Sequence, residues 1–546
     1  MNKLNRRLPQ VDPSHFAMVP RNDVPRSTFD TQHTIKHTMD CDYLYPLYVD
    51  EVLPGDVHDG KLTVFARLNN LIFPLMDNLT VETFFFFVPC RLVWNNWQKF
   101  MGEQANPGDS ISYTIPQLAS PAGGFIANGL ADAMGLPTVG QVGAGNTINV
   151  NALPFRCVNL IYNEWFRDEN LQQSTLVPKD DGPDNIGAYN LEKRGKKHDY
   201  FTSSLPWPVK GGQGVSFPLA GQATVKTQLT PLYTGVQQPI LFNTASSGGF
   251  PIPNTVGFGT GVGSGQIGPT TTATGMSAGA AIYPSNLYAD LASATGTTIN
   301  AMRLAVATQQ FLEKDARGGT RYTELLKNHF GVSPEDARLQ RPEYIGGGRS
   351  PIVTQAMPQT SVGTATDPLG RLAGQGVLAD QHRFKYHATE HGYIIGLVNI
   401  TGDVTYQQGL NKMWSRQTRY DFYWPTFANL GEQAVLNKEI YCRGDANDNL
   451  VFGYQERWAE YRYRPSSIRG LFKSTTSGNI DDWHVAEQFS ALPVLNAQFI
   501  RQNTPAARVL AAGLQANTQQ ILWDSVFDIR CTRPIPTYSV PGLLRF

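Results

Sequence analysis

Four consecutive phenylalanines, Phe84 to Phe87, constrain the fold of this 546-residue chain more than any other feature of its sequence. They lie in residues 80–88, a segment without turn residues that is followed by Pro89, and such a segment predicts a β-strand. Successive side chains of a strand point to opposite faces of its sheet, so an uninterrupted apolar run needs apolar cover on both faces. The sequence therefore predicts a strand that is buried on both faces.

Other strands are predicted where apolar and polar residues alternate. Between His33 and Cys41, every second residue is apolar or histidine, which is typical of a half-buried strand. Further strands are predicted at residues 62–68, 393–400, 422–424, 461–464 and 521–531. Helices are predicted near residues 130–134, at 153–172, at 299–313 and at 322–330. Many separated strands joined by long connections favour an elaborated antiparallel sandwich.

The composition supports a loop-rich β protein and argues against several other classes. Gly and Pro contribute 51 and 36 residues, and only 16% of residues are charged, against roughly 25% in an average soluble domain. The 45 basic residues balance 45 acidic ones, so the chain is not a generic polyanion binder. Its five cysteines are far apart and form no C-x-x-C pair, which argues against a disulfide framework or a zinc knuckle. No apolar segment follows the basic start, so we predict no secretory signal and expect a cytoplasmic chain.

Shifts in composition divide the chain into three parts. Residues 1–30 contain five basic and three acidic residues with four prolines, which predicts an extended basic arm. Residues 210–299 contain 16 glycines and only three charged residues, yet Phe250 and Phe258 give the segment apolar anchors that linkers usually lack. We expect an ordered, projecting insertion at residues 210–296, with a flexible linker as the alternative. Residues 31–209 and 297–546 then form one discontinuous domain.

The catalytic motifs of the sequence are weak. His387, Glu390 and His391 match H-x-x-E-H, whose two histidines share a zinc ion only on one helix face. Here the motif continues into a strand-like sequence, and on a strand the histidines would lie about 13 Å apart. Matches to G-x-S-x-G at 275–279 and to G-x-G-x-x-G at 263–268 lack the strand and helix that those motifs require. We predict no enzyme, no cofactor and no metal site, and keep a metal-dependent hydrolase as an alternative function.

Arginine and aromatic residues alternate between positions 414 and 464. Aromatic rings with guanidinium groups suit single-stranded nucleic acid, but Tyr, Trp and Arg are also enriched in subunit interfaces. We favour the interface, since no RNP or OB pattern frames these residues. The candidate interface aromatics are Trp414, Trp424, Trp458, Tyr461 and Tyr463. The candidate nucleic-acid contacts are Lys3, Arg6 and Arg7 of the arm, together with Arg462 and Arg464.

Several segments resemble a known family. Residues 79–103, 153–172 and 330–347 are similar to the major capsid protein of gokushoviruses, small icosahedral single-stranded DNA bacteriophages of the Microviridae. Residues 406–431, 452–467 and 532–546 add to the resemblance. It implies an eight-stranded antiparallel jelly roll of the viral capsid type, with long inserted loops and a few short helices. It also implies that the insertion at residues 210–296 forms a protrusion at the threefold axes and attaches to the host.

The resemblance implies a structural function. Copies of the chain would assemble in the bacterial host cytoplasm into the T=1 icosahedral capsid of a virion that encloses single-stranded DNA, without membrane insertion. Because a shell of neutral chains does not neutralise packaged DNA, we expect a small basic DNA-binding protein as a partner. A DNA pilot protein and a host surface receptor are the other expected partners. A cellular single-strand DNA-binding protein is kept as a second alternative function.

Overall fold

The computed structural model describes residues 25–212, 214–215, 299–333, 340–360, 363, 369–511 and 519–538, and six short strands within residues 225–289. The chain divides into two compact units, one formed by Met1–Gly211 with Lys314–Phe546 and the other by Gly212–Glu313. The predicted arm lies outside the described residues as far as residue 24, and its last residues already belong to the first strand.

Eight long antiparallel strands form the body of the first unit. They are β1 (Ser27–Met39), β2 (Tyr45–Val52), β3 (Val57–Leu68), β4 (Leu79–Pro89), β5 (Glu343–Pro351), β6 (Leu372–His387), β7 (Gly392–Gly402) and β8 (Ile521–Arg533). One sheet has the order β1-β8-β3-β6 and the other β5-β4-β7-β2, and the sheets are joined at Gly346 and Phe384. A short strand, Val353–Pro358, extends the first sheet beside β6. Two four-stranded antiparallel sheets, each built from strands that are distant from one another in the sequence, form a jelly roll. This confirms the predicted fold class.

The main core lies between the two sheets. Along β3, Leu62, Val64 and Ala66 are buried at every second position, as the period of a strand requires. From the facing sheet, the Phe85 ring stacks on Phe384 with a centroid distance of 4.3 Å. Apolar residues of all eight strands thus enclose one continuous core, and the burial of each large side chain contributes about 1.5–3 kcal/mol.

The phenylalanine run is buried on both faces, as the sequence predicts. Phe85 and Phe87 point into the core between the sheets, whereas Phe86 points outward into a second apolar cluster. The helix Leu153–Ile161 covers this outer face with its apolar side, which confirms the amphipathic helix, and continues as a π-helical turn, Tyr162–Phe166. The sheet that contains β4 therefore has an apolar layer on each side.

A buried ion pair holds the chain beyond this helix in place. The Arg156 guanidinium is fully buried and donates two hydrogen bonds to Asp184, at 2.8 Å from Nε and 2.5 Å from Nη2. The Tyr189 hydroxyl donates to the same carboxylate, and burial together with this hydrogen bond raises the pKa of Tyr189. Removal of either charge would leave the other buried without its closest ion-pair partner, so this pair fixes the path of the covering layer.

The remaining elements are short or lie in the long connections. The longer helices are Ile299–Arg317 and Tyr322–Phe330, both as predicted. Short helices are Cys90–Val93, Trp97–Phe100, Leu130–Ala133, Asn437–Ile440, Ala459–Arg462, Ala497–Ile500 and Ala506–Val509. The 3-10 turns are Ile186–Ala188, Lys412–Ser415, Arg419–Asp421, Pro425–Phe427, Ala446–Asn449, Gly470–Phe472 and Asp481–Trp483. In the first unit, two further strand pairs lie outside the two large sheets. They are Gln117–Ala119 with Asn149–Asn151 and Glu432–Leu436 with Val451–Glu456.

The described part of the insertion consists of three strand pairs. They are Val225–Thr227 with Leu287–Ala289, Phe242–Thr244 with Ile282–Pro284, and Phe258–Gly259 with Gly268–Pro269. Each pair is antiparallel and nested inside the preceding one along the chain, so the later strands of the segment pair back onto the earlier ones.

Two predicted strands are wrong. Residues 422–424 form an exposed loop, and residues 461–464 begin in the helix Ala459–Arg462. Aromatic residues favour strands on average, but here the rings pack on arginine side chains and on one another instead of lying in a sheet. Local propensity is overridden by these side-chain contacts.

The burial of Phe85 predicts a large stability difference between two phenylalanines. Phe85→Ala should lower the free energy of unfolding by about 3–5 kcal/mol, because the sheets leave a cavity in place of the ring. Phe65→Ala, on the outward face of β3 where the ring is 46% exposed, is the matched control and should cost far less. Chemical denaturation of both variants measures the difference, and equal costs would contradict the assignment of the core.

Candidate interaction surface

The connection between β7 and β8 presents a set of exposed rings, which we call the aromatic surface. Each of these side chains is between 48% and 71% exposed, whereas soluble monomers rarely expose apolar groups in contiguous patches. The aromatic surface consists of Trp414, Tyr420, Phe422, Tyr423, Trp424, Tyr461 and Tyr463.

A tight turn positions the middle of the aromatic surface. The 3-10 turn Arg419–Asp421 is capped by Thr418, and the Asp421 carboxylate accepts hydrogen bonds from the backbone N–H groups of Thr418 and Gln417. These N–H groups lower the pKa of Asp421, so the cap persists at neutral pH. The Trp424 indole donates to the Arg419 carbonyl at 2.8 Å, which closes the loop that carries the rings.

Arg416 holds two of these rings in place through cation–π contacts. Its guanidinium carbon lies 4.4 Å from the Tyr461 ring centroid and 5.3 Å from that of Phe422. Its charge is paired with Glu460 at 3.2 Å, and both side chains are at most 10% exposed. Cation–π contacts and a shielded ion pair together hold two exposed rings in fixed positions, so Arg416 supports the surface and is not free for phosphate.

Trp458 is the exception among the predicted interface residues, because it is buried within its own chain. Its indole donates to the Phe427 carbonyl at 3.1 Å, and the Tyr423 ring meets it edge-on at 5.6 Å. The backbone of Trp458 is left-handed, with φ of 68°, directly before the helix Ala459–Arg462. Trp458 therefore anchors the aromatic surface, while Trp414, Trp424, Tyr461 and Tyr463 are exposed as an interface requires.

A small apolar cluster and a cavity lie behind these rings. The cluster contains Phe201, Tyr406 and Phe452, whose rings meet edge-on at centroid distances of 4.9 Å and 6.2 Å from Phe201. Beside it, a cavity of about 530 Å³ is lined by Tyr406, Trp414, Tyr463 and Arg464 among others. The aromatic surface thus adjoins a packed apolar cluster and an open cavity.

The predicted nucleic-acid contacts are placed differently from one another. Arg462 pairs with Glu456 at 2.6 Å and donates to the Arg457 carbonyl. Arg464 lines the cavity and, among the residues that the structure describes, has no ion-pair partner. Lys3, Arg6 and Arg7 lie outside the described residues. Carboxylates neutralise Arg416 and Arg462, so these two guanidinium groups are less available to phosphates than Arg464 is.

The two residues that hold the exposed rings in place were not predicted from the sequence. Arg416 and Glu460 both belong to the Arg-rich, aromatic segments, but their pairing joins residues that are 44 positions apart. A run of alternating arginine and aromatic residues signals stacking without showing which arginine is neutralised. The exposed rings were therefore predictable and their buried support was not.

The hydrolase motif lacks the geometry that zinc proteases require. His387 is the last residue of β6, and Glu390 and His391 follow in the bend before β7, so the two histidines do not lie on one helix. The Glu390 carboxylate accepts two hydrogen bonds from the Arg91 guanidinium. The His391 ring packs on Trp97 with a centroid distance of 5.7 Å. The 275–279 match lies outside the described residues.

None of the described helices has the length and apolar character needed to cross a bilayer.

The ion pair below the rings predicts a second stability difference. Glu460→Gln should lower the free energy of unfolding by roughly 3 kcal/mol, because it leaves the shielded Arg416 charge without its partner. Glu456→Gln is the control, since that carboxylate is 40% exposed and should contribute less than about 1 kcal/mol. Urea denaturation of both variants tests this, and a Glu460 cost no greater than the Glu456 cost would refute it.

Comparison with known proteins finds similarity along almost the whole chain. A family model described as capsid protein (F protein) matches residues 17–543. The chain is 45% identical over 539 residues to capsid protein VP1 of Bdellovibrio phage phiMH2K, covering 96% of this chain and 97% of that protein. It is 40% identical over 605 residues to capsid protein VP1 of Chlamydia phage 1, with 99% of each covered. With capsid protein VP1 of Spiroplasma virus 4, identity is 36% over 563 residues, covering 100% and 99%.

Proposed function

Because the chain belongs to the phage capsid protein (F protein) family, we propose that it is the major capsid protein of a small single-stranded DNA bacteriophage and assembles into a closed icosahedral shell. Its role is structural and not enzymatic, and its place is the virion. Alignment with relatives over nearly their full length supports this, as does a jelly roll whose long connections carry exposed rings. The single observation that carries the proposal is the aromatic surface, which needs apolar cover that the described residues do not provide.

The partner of the aromatic surface is a second copy of this chain. Trp and Tyr supply large contact areas at low entropic cost, and they dominate the binding energy of protein interfaces. A closed shell needs one patch on each copy to meet a different patch on its neighbour. The low charge of the chain fits repeated contacts of this kind, because charged residues are depleted at interface cores.

The packaged single-stranded DNA is held with help from a separate basic protein. A net charge of zero means that the shell adds no excess of positive charge to offset phosphates. Lys3, Arg6, Arg7 and Arg464 would contribute local contacts, while Arg462 is already paired with Glu456. A small basic DNA-binding protein supplies the remaining charge, and a DNA pilot protein completes the set of partners.

The insertion at residues 210–296 projects from the shell and attaches the particle to a host surface receptor. Its three nested strand pairs support an ordered excursion, and residues 227–289 contain no charged side chain. The discontinuous shell domain, residues 31–209 and 297–546, lies on either side of the insertion in the sequence. We place these projections at the threefold axes of the icosahedral shell.

The aromatic surface predicts a loss of assembly without a loss of folding. Trp414→Ser combined with Trp424→Ser should reduce the yield of closed particles by at least about tenfold, because two anchor side chains are removed from a repeated contact. The thermal unfolding of the single chain should stay close to that of the wild type, since both side chains are exposed. Sedimentation and light scattering measure assembly.

The control for this prediction is Leu176→Ser, which removes another exposed apolar side chain outside the aromatic surface. It should leave the particle yield unchanged. Normal assembly of the double tryptophan variant, or an equal loss in the control, would contradict the role given to the aromatic surface.

The insertion predicts a separation between assembly and adsorption. Deletion of residues 215–290 should leave particles that assemble but no longer adsorb to host cells, because the projecting segment and its uncharged surface are gone. Electron microscopy counts the particles and a binding assay with labelled particles counts adsorption. Unchanged adsorption of the deleted particles would refute the attachment role.

A further inference from the structure

Three buried side chains with metal-binding atoms meet at the start of β3. They are Asp56, from the turn before the strand, His58 of β3 and Cys531 of β8, and one ligand atom from each lies within 4.8 Å of the others. His58 and Cys531 are direct cross-strand partners in the register of β3 and β8. The strand pairing therefore places an imidazole and a thiol side by side, although the two residues are 473 positions apart.

The distances between these atoms match those between ligands of one zinc ion. His58 Nε2 lies 3.6 Å from Cys531 Sγ and 3.5 Å from Asp56 Oδ2. Two ligands at the bond lengths of tetrahedral zinc, about 2.0–2.3 Å, lie about 3.3–3.5 Å apart. The 3.6 Å contact between Nε2 and Sγ is also within the range of a hydrogen bond to sulfur, and both distances agree with two edges of a zinc coordination shell.

One carboxylate oxygen of the cluster lacks a partner. The side chains of Asp56 and His58 are fully buried, and Asp56 Oδ1 has no hydrogen-bond partner in the described part of the chain. Asp56 Oδ2 is held by Arg533 Nε at 2.9 Å and by the Leu53 N–H at 3.0 Å, which fixes the carboxylate without satisfying its other oxygen. A buried polar atom without a partner is costly, and a cation bound at this carboxylate would remove that cost. His58 Nδ1 is not a ligand of this site, because the distances above join Nε2 to the other two residues.

The charges around the cluster also fit a divalent cation. The carboxylates of Asp50 and Asp56 outnumber the single Arg533 guanidinium that pairs with both of them, so the acidic side chains beside the cluster favour a bound cation. Asp50 Oδ2 lies 3.9 Å from His58 Nδ1, on the side where metal-bound histidines usually meet a carboxylate.

We propose that Asp56, His58 and Cys531 form a structural zinc site that ties the late strand β8 to β3 and to the turn before it. A thiolate and an imidazole select zinc over magnesium or calcium, which prefer oxygen ligands. Asp56, His58 and Cys531 fill three positions of a tetrahedral ion, and their burial favours a structural over a catalytic role, although structural zinc sites usually have four protein ligands. Because the ligands lie inside the fold, the metal enters as the chain folds. The site belongs to each single chain and does not depend on assembly.

The test is metal content and a thiolate signal in the full-length protein. Wild-type protein produced with added zinc and dialysed extensively should retain one zinc ion per chain by elemental analysis. Protein produced with cobalt(II) instead should show the near-ultraviolet charge-transfer absorption of a cobalt–thiolate bond. Folded wild-type protein that retains no stoichiometric metal, or binds cobalt without thiolate absorption, would overturn the proposal.

Variants assign the signal to its ligands. Cys531→Ser should abolish the thiolate absorption, whereas Cys442→Ser, at the exposed cysteine, should keep it. Asp50→Asn should retain the site but weaken zinc binding about 10–100-fold, as loss of an outer carboxylate does. If Cys531→Ser does not fold, His58→Gln replaces it, with loss of stoichiometric metal as the expected result. Absorption that survives in folded Cys531→Ser, metal that survives in His58→Gln, or absorption lost in Cys442→Ser would each contradict the assignment.

Discussion

The burial of β4 on both faces is the constraint on which the rest of the structure depends. Phe85 and Phe87 fill the space between the two sheets, and Phe86 fills the space beneath the helix Leu153–Ile161. A strand of this kind needs a partner sheet and a covering layer at once, so a single two-layer sandwich does not satisfy it. The long connection after β4 provides the covering layer and the buried Arg156 pair fixes it, which leaves the later connections free to carry other surfaces.

The function follows from those connections and not from the jelly roll alone, since one fold serves many purposes. The connection between β7 and β8 holds its rings outward on a rigid base of Arg416, Glu460 and Trp458. A rigid, exposed apolar layer is costly in water and favourable against another protein surface. Arg416 and Arg462 of the same segment are paired with carboxylates, which makes these two arginines less available to phosphates.

Strands β1, β3, β4, β7 and β8 were predicted from apolar alternation or continuous apolar runs, whereas β2, β5 and β6 were not predicted. Strand β5 was missed because Gly347 and Gly348 lower strand propensity, yet a Cβ at Gly348 would lie 2.3 Å from the His382 ring and one at Gly347 2.1 Å from the Thr83 carbonyl. Close approach of neighbouring strands demands these glycines. The exposed rings were predictable from composition, whereas the Arg416–Glu460 pair and the meeting of His58 with Cys531 depend on pairings between distant residues.

We propose that this chain is a shell protomer whose exposed rings are covered by neighbouring copies of the same chain. Cryo-electron microscopy of purified full-length protein, alone and with partner proteins and DNA, is the decisive experiment. We expect closed particles of uniform size, with the eight strands in the shell wall and Trp414 and Trp424 buried between neighbouring chains. A folded protein that remains a single chain under all of these conditions, or particles in which those rings face solvent, would contradict it.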